Sequence, residues 1–242
     1  MLGWIKRKIS VGDTNLTNKD AWLKDQLAQL PTGSSVLDAG AGETKYRKYC
    51  EHLVYKSQDF GKYDGKGDQV GMQTKTWDQT KLDYVCDIAS IPAPDASFDA
   101  ILCVEVFEHI PNPEEALREF ERLLKPGGKL ILTAPFCAMT HFAPYFFVSG
   151  YSTYWYQHFL KKTNLVLDKV TPSGDYFDYI AQELRHLHRI GGRYGKVGPI
   201  LFGIIKLCVI PCLFLLQYLK NHTKKSEELL CYGLFVNGHK PE

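Results

Sequence analysis

The feature that most constrains the fold is a short apolar strand that breaks directly into a glycine turn. Residues 35–39 (SVLDA) have the composition of a buried strand, and Gly40-Ala41-Gly42 follows at once. Residues 45–51 are predicted to begin a helix after the turn. A strand, a glycine turn and a helix in this order are the opening unit of a parallel α/β sheet.

The rest of the chain continues this alternation of strands and helices. A helix is predicted over residues 14–30, and another over residues 113–124, where apolar residues share one face and Gly127 and Gly128 end the helix. Further strands are predicted over residues 53–59, 84–87, 99–105, 130–134, 164–171 and 229–238. The pattern predicts an α/β, Rossmann-like fold: a doubly wound, mostly parallel seven-stranded sheet with helices on both faces and a helical insertion before the last strand.

Length and composition predict one soluble globular domain. The chain has 242 residues, of which 45% are hydrophobic and 23% charged. The expected parts are an N-terminal helical cap (1–30), a core (31–172 and 228–239) and a helical, apolar insertion (173–227). A net charge of +2 argues against a nucleic-acid binder that relies on a large basic face.

Seven cysteines, several of them inside apolar runs, are typical of a reduced, cytoplasmic protein. Cys208 and Cys212 are four residues apart, but no Cys or His partner lies near them at ligand spacing. The sequence therefore predicts no metal site. Residues 1–10 contain no apolar stretch long enough for export.

Three acids lie at the ends of three successive predicted strands: Asp38, Asp59 and Asp87. Parallel strands bring their carboxyl ends to one edge of the sheet, where such folds bind ligands. Gly40 and Gly42 let the backbone approach a ligand closely, although the turn taken alone also fits a simple tight turn. Carboxylates at this edge, and the absence of a phosphate-binding loop, favour a sulfonium nucleoside over a nucleoside triphosphate.

Several segments together resemble class I S-adenosylmethionine-dependent methyltransferases, over most of residues 35–171. These segments are VLDAGAG, CDIASIP and SFDAILCVEVFEHIPNPEEALREFERLLKPGGKLILTAPF. The resemblance implies S-adenosylmethionine as cofactor and assigns cofactor-binding roles by strand end. In such enzymes the glycine turn binds the methionine part of the cofactor, and this role is assigned to Asp38, Gly40 and Gly42. Asp59 is expected to bind the ribose, and Asp87 and Ile88 the adenine. Glu105 is assigned to the same site. Thr44 departs from the family, since many members have a third glycine there.

Methyl transfer needs alignment more than covalent help, and a general base is optional. His109 and His141 are the candidate bases, His141 being preferred; each also fits a structural role. The aromatic residues Tyr145, Tyr151, Tyr154 and Trp155 are expected to form the acceptor pocket. Residues 135–156 resemble family members associated with cell-surface glycan or lipid biosynthesis. A small-molecule, sugar or lipid-linked acceptor is therefore expected.

Two other functions share the predicted fold. A non-catalytic cofactor-binding module would use the fold for partner recognition. A nicotinamide dehydrogenase is disfavoured, because residues 40–45 (GAGETK) lack the last glycine of the dinucleotide fingerprint.

Residues 197–219 form an apolar stretch long enough to span a bilayer, interrupted by Lys206 and Pro211. If this stretch crossed the membrane once, the last predicted strand would lie on the opposite side of the membrane from the rest of its sheet. A membrane-spanning helix is therefore not expected. Basic flanks suit a helix that lies on a membrane surface or covers an apolar acceptor. A buried helix or a dimer contact fits equally well. The expected location is cytoplasmic, with peripheral contact at the inner face of a membrane.

Overall fold

The structure is a computed structural model that describes residues 9–195 and 198–242. Residues 1–8 of the expected N-terminal cap and Val197 of the apolar stretch lie outside the described residues. The strands are β1 (Ser35–Ala39), β2 (Val54–Asp59), β3 (Tyr84–Val85), β4 (Phe98–Val104), β5 (Leu124–Pro135), β6 (Val166–Ser173) and β7 (Gly233–His239). The helices are α1 (Asn15–Ala28), α2 (Pro113–Leu123), α3 (Thr153–Leu160), α4 (Tyr176–Tyr194) and α5 (Pro199–His222).

The seven strands form one sheet in the order β3-β2-β1-β4-β5-β7-β6. Strands β1 to β5 pair in parallel, whereas β7 pairs with β5 antiparallel. The predicted fold class, a mostly parallel seven-stranded α/β sheet, is confirmed. The order reverses between β1 and β4, which is where sheets of this kind leave a crevice for a ligand.

The core on one face of the sheet forms between α1 and the central strands. Leu23, Leu27 and Leu30 are buried against alternate residues of β1 and β4, such as Val36 and Leu102. Alternation is expected, because successive strand side chains point to opposite faces. On α2 the buried residues are Ala116, Leu117, Glu119, Phe120 and Leu123.

Three predicted boundaries are wrong. The last strand, predicted over residues 229–238, begins only at Gly233. The helix predicted over residues 45–51 is a single 3-10 turn, Arg47–Tyr49, because only four residues then separate it from β2. The strand predicted over 130–134 begins earlier, at Leu124, which pairs with Phe98. Gly127 and Gly128 therefore lie within β5, and α2 ends before them.

The chain divides into two compact units within the described residues: 9–20 with 172–232, and 21–171 with 233–242. In the first unit, α4 and α5 pack on Ile9 and Val11, and the shared core includes Ala181 and Leu213. The second unit holds most of the sheet. The expected single domain and its boundaries stay a prediction.

Candidate cofactor and acceptor site

A cleft of about 270 Å³ lies at the carboxyl ends of the parallel strands, within the unit that holds most of the sheet. Four residues that the sequence assigned to the cofactor line it, and so do two that it assigned to catalysis and the acceptor. These six are Gly40, Asp59, Asp87, Ile88, His109 and Tyr145. Residues up to 105 positions apart in the chain therefore meet at one place.

The glycine turn after β1 has no room for side chains. Gly40 and Gly42 adopt φ of +77° and +52°, a region that favours glycine. A Cβ at Gly42 would lie 2.6 Å from the Trp77 ring, and one at Gly40 would collide with Val106. Glycine is thus required at both positions for the backbone to pass this close to its neighbours.

Asp59, at the end of β2, is buried and accepts three hydrogen bonds from the chain itself. The Gly42 N–H donates to Oδ2 (2.9 Å), and Oδ1 accepts from the Gly61 N–H (3.1 Å) and Gln79 Nε2 (2.8 Å). Burial raises the pKa of this carboxyl, and the hydrogen bonds oppose that rise. The carboxylate couples the glycine turn to the loop that follows β2.

Asp38 lies behind the glycine turn, and it is not among the described residues that line the cleft. Its side chain is 1% exposed and its Oδ2 accepts a 2.6 Å hydrogen bond from the Tyr55 hydroxyl. Burial, reinforced by the Asp59 charge, raises the pKa of Asp38 to about 7 against the hydrogen bond from Tyr55. In this arrangement Asp38 supports the turn from inside the fold.

Gln58 is a site residue that sequence reasoning missed. It is buried at the end of β2, where its Oε1 accepts from the Gly40 N–H (3.1 Å) and its Nε2 donates to the Cys86 carbonyl oxygen (2.7 Å). One amide thereby holds the ends of β1 and β3 in register across β2. Its position next to Asp59 at a strand end is the only sequence clue to it.

The third strand end supplies one polar and one apolar group. Asp87 is exposed and its Oδ1 accepts from the Ala89 N–H at 2.9 Å, whereas Ile88 is buried in the cleft wall. A carboxylate beside an apolar wall suits a planar base that carries an amino group.

The segment between β2 and β3, residues 60–83, folds over the glycine turn and is called here the 60–83 loop. Trp77 lies against Gly42, and Met72 forms a bridge with His141, whose segment follows β5. The bridge is held by hydrogen bonds from the Met72 N–H to the Thr140 carbonyl oxygen and from the Phe142 N–H to Met72. The 60–83 loop thus covers the glycine turn.

A cluster of carboxyl and imidazole groups adjoins the cleft at His109, which lines it. The other members, Glu105, Glu108 and His141, are not among the described residues that line the cleft. His109 ends the 3-10 helix Phe107–His109 that follows β4, and its ring centroid lies 4.6 Å from that of His141. Glu108, which sequence reasoning passed over, is 1% exposed and places Oε1 3.7 Å from His109 Nε2 and 3.9 Å from His141 Nε2. Glu105 lies at the end of β4 with φ of +54° and accepts from the Thr133 hydroxyl at 2.8 Å.

The aromatic residues predicted for the acceptor pocket separate into two groups. Tyr145 lines the cleft, together with Phe147. Tyr151 instead donates its hydroxyl hydrogen to the Phe107 carbonyl oxygen (2.7 Å), and Trp155 packs 4.7 Å from the Tyr151 ring. Tyr154 is 78% exposed. Within the described residues, these last three do not line the cleft.

The residues present fit S-adenosylmethionine. At Gly40 the backbone can approach the methionine part of the cofactor closely. The Asp59 carboxylate can accept hydrogen bonds from the two ribose hydroxyls. Asp87 can accept from the adenine amino group while Ile88 packs on the ring. The carboxylates also suit a cationic ligand better than a polyphosphate. The fit requires that Gln79 give up its hydrogen bond to Asp59 and that the Trp77 ring move away from Gly42.

Comparison with known proteins agrees with this fit. Residues 37–132 match the family model described as a methyltransferase domain. The tRNA (carboxymethyluridine(34)-5-O)-methyltransferase of Xenopus tropicalis is 32% identical over 126 residues, which are 50% of this chain and 19% of that protein. The ubiquinone biosynthesis O-methyltransferase of Xanthomonas oryzae is 40% identical over 63 residues, 26% of each chain. The chain thus spans about a fifth to a quarter of the length of these curated relatives.

Solved structures extend the likeness to the fold. Phosphoethanolamine N-methyltransferase 2 of Haemonchus contortus, in complex with S-adenosyl-L-methionine, superposes with a TM-score of 0.51 at 15% identity. The match covers 93% of this chain and 53% of that one. At 15% identity, this structural similarity supports the fold alone. The match to the family model supports the type of domain. Together they show that residues 37–132 match a methyltransferase domain and that the fold is shared with a methyltransferase solved in complex with S-adenosyl-L-methionine.

Proposed function

We propose that this protein methylates a hydroxyl oxygen of a small, partly apolar or lipid-linked acceptor, with S-adenosylmethionine as donor. The observation that carries the proposal is the single cleft that joins the cofactor-type residues Gly40, Asp59 and Asp87 to His109 and Tyr145. Oxygen is proposed as the acceptor atom because the two curated relatives described above are both named as O-methyltransferases.

The bound donor would supply an electrophilic methyl group on its sulfonium. The chain's own contribution is mainly alignment, which for well-oriented reactants contributes roughly 7–11 kcal/mol. Tyr145 and Phe147 offer an apolar wall for the acceptor. The buried carboxylate of Glu108, less than 4 Å from both imidazoles, makes the cluster a place where a proton leaving a hydroxyl is stabilised.

The experiment is a transfer assay with labelled donor and a panel of hydroxylated acceptors: phenols, free sugars and lipid-linked sugars. Methylation of an acceptor with an apolar part is expected, and His141→Ala should reduce turnover sharply while donor affinity stays nearly unchanged. Exposed His158→Ala, in the same unit, serves as the matched control. Calorimetry with S-adenosylhomocysteine distinguishes an enzyme from a cofactor-binding module. If the protein binds S-adenosylhomocysteine but methylates no acceptor, a non-catalytic cofactor-binding module is favoured. If it does not bind S-adenosylhomocysteine, both functions are contradicted.

We also propose that α5 rests on the surface of a membrane, at its cytoplasmic face. One segment of α5, Leu201–His222, has the length and the mean hydropathy (2.0) to cross a bilayer by composition alone, and its most apolar window is only 6% buried. Crossing is disfavoured by topology, because the chain leaves β6 and returns to β7, its neighbour in the same sheet. A helix that lies along the membrane surface agrees both with the exposed apolar side chains and with the return of the chain to the same sheet.

The two faces of α5 differ in exposure. Val209 and Leu216 pack with Leu213 on the core of their unit. The opposite face exposes apolar side chains at helical spacing, and Leu207 is the most exposed of them at 72%. The exposed set is Leu201, Ile204, Leu207, Phe214, Leu215 and Tyr218.

Basic groups favour a membrane over a second protein as the occupant of this face. Exposed Arg189 and Lys206 line a cleft of about 470 Å³ in the same unit, and Lys224 and Lys225 follow the helix. Lys224 and Lys225 lie at the C-terminal end of the exposed apolar face, where they suit anionic lipid headgroups, each contributing about 1 kcal/mol near such a surface.

Vesicle flotation tests this contact. The protein is expected to float with vesicles that contain phosphatidylglycerol, and the double variant Leu207→Gln, Leu215→Gln should stay at the bottom. A matched control replaces two exposed leucines elsewhere in the unit, Leu187→Gln and Leu229→Gln, and should float. Equal flotation of all three forms, or a wild-type chain that dimerises without floating, would contradict the proposal.

A further inference from the structure

We propose that Glu108, His109 and His141 bind a divalent transition-metal cation, for which Zn²⁺ is the best match. One potential ligand atom from each residue lies within 4.8 Å of the other two. Two imidazole nitrogens and one carboxylate oxygen are a ligand set that zinc enzymes use, with a further position left open for water or substrate. The sequence had predicted no metal site.

The fold brings the three residues together through two neighbouring strands. Glu108 and His109 belong to the 3-10 helix after β4, and His141 lies in the segment after β5. Because β4 and β5 are parallel and adjacent, both segments leave the sheet at the same edge. Met72 of the 60–83 loop fixes the His141 segment from outside through its bridge.

The orientation of both imidazoles is set by backbone carbonyl groups. His109 Nδ1 lies 2.6 Å from the Tyr145 carbonyl oxygen, and His141 Nδ1 lies 2.9 Å from that of Met139. A carbonyl oxygen only accepts, so each Nδ1 carries a hydrogen. The lone pair of each neutral ring is then on Nε2, the nitrogen that lies within 4 Å of Glu108 Oε1. Metal-binding histidines are typically held in this way by a partner on the second nitrogen.

The electrostatics favour a cation at this place. The Glu108 carboxylate is 1% exposed, and the imidazoles of His109 and His141 are 14% and 21% exposed. A carboxylate shielded from water attracts a cation more strongly than an exposed one.

The distances need only a modest contraction. Ligands about 2.0–2.2 Å from a zinc ion lie roughly 3–3.6 Å from each other. The observed separations of 3.7 and 3.9 Å from Glu108 Oε1 are close to that range. The two imidazole ligand atoms lie within 4.8 Å of each other, so binding also requires the two rings to approach each other by up to about 1 Å.

Cation binding would be independent of methyl transfer, whereas its catalytic use rests on the proposed function. A bound divalent cation lowers the pKa of a coordinated hydroxyl and so prepares an acceptor oxygen for methylation. His109 belongs both to the cluster and to the cleft wall, which connects the two sites.

The test is calorimetric titration of the chelator-treated, full-length chain with ZnCl₂ in the absence of donor and acceptor. One saturable site is expected. His109→Ala, His141→Ala and Glu108→Gln should each weaken it by at least about 100-fold, the upper end of what loss of a supporting contact costs. Exposed His158→Ala should leave the site intact. Cys208→Ser, Cys212→Ser controls for zinc held by these exposed thiols.

A second readout guards against variants that fail to fold. Co²⁺ bound by two imidazoles and a carboxylate gives visible absorption without thiolate charge-transfer bands. The wild-type chain should show this spectrum, and the near-isosteric Glu108→Gln variant should lose it while keeping the wild-type far-ultraviolet circular dichroism. No saturable site in the wild type, thiolate bands in place of the expected spectrum, or equal binding by the cluster variants and His158→Ala would overturn the proposal. Since no donor is present, these outcomes are distinct from a failure to methylate.

Discussion

At the scale of single residues, carboxylates with similar sequence contexts have different environments. Asp87 is exposed at the cleft, Asp59 is buried but receives three hydrogen bonds, and Asp38 is buried beside Tyr55 with one hydrogen bond shown. Asp38 and Asp59 lie at the carboxyl ends of β1 and β2, and Asp87 follows β3 at the same edge of the sheet. Their neighbours, and not their positions along the chain, decide which of them can meet a ligand.

Asp38 is expected to make stability depend on pH. Its pKa of about 7 in the folded state exceeds the ordinary value of 3.8, so the folded state keeps a proton that the unfolded state releases. This contribution is complete below pH 3.8 and is lost as the pH rises to 7, a change of at most about 4 kcal/mol. Asp38→Asn removes it and preserves an acceptor for Tyr55.

The measurement is the free energy of unfolding of wild type and Asp38→Asn by denaturant between pH 4 and pH 8. The variant should gain stability relative to wild type as the pH rises, and the gain should level off above pH 7. Exposed Asp87→Asn is the control. A difference between wild type and Asp38→Asn that does not change with pH would show that Asp38 is not protonated in the fold.

At the scale of elements, the 60–83 loop is the feature that sequence patterns described least. It lacks helical or strand periodicity, yet it carries Trp77 and Gln79 to the glycine turn and Met72 to His141. Gly71 adopts φ of +66°, and a Cβ there would collide with the Thr140 carbonyl oxygen. The glycines of this loop therefore allow close backbone approach to the segment after β5.

Trp77 is expected to report cofactor binding. S-adenosylhomocysteine at the glycine turn should displace the indole from Gly42 and change the intrinsic fluorescence. Trp77→Phe should abolish most of that change, and Gln79→Ala should tighten binding severalfold because Asp59 then loses one competing donor. Fluorescence titration of the three proteins measures both effects. A signal that persists in Trp77→Phe would place the response at another tryptophan.

At the scale of the whole molecule, none of the seven cysteines forms a disulfide bond, and they differ in burial. Cys50, Cys103 and Cys231 are buried, whereas Cys137, Cys208 and Cys212 are exposed. Burial raises the pKa of the Cys50 thiol to about 12 and that of Cys103 well above the ordinary value. Buried thiols of high pKa react slowly, because the thiolate is the nucleophile.

Titration with a chromogenic disulfide reagent should therefore proceed in stages. Three thiols are expected to react fast in the native protein, half-buried Cys86 more slowly, and the remaining three only after unfolding. Mass spectrometry of the alkylated peptides identifies which residues react. Fast labelling of Cys103, at the centre of the sheet, would contradict the structure.

The sequence by itself determined the class of fold, since strand and helix periodicities and the glycine turn at residues 40–42 are local properties of the chain. It also determined which acids end parallel strands, because those positions follow directly from the strand pattern. Only the tertiary structure decided which side chains face the cleft. Tyr145 lines it and Tyr151 does not, and Glu108 meets His141 across 32 intervening residues. Such contacts depend on how separate strand ends and loops pack together, and a local sequence pattern does not contain that information.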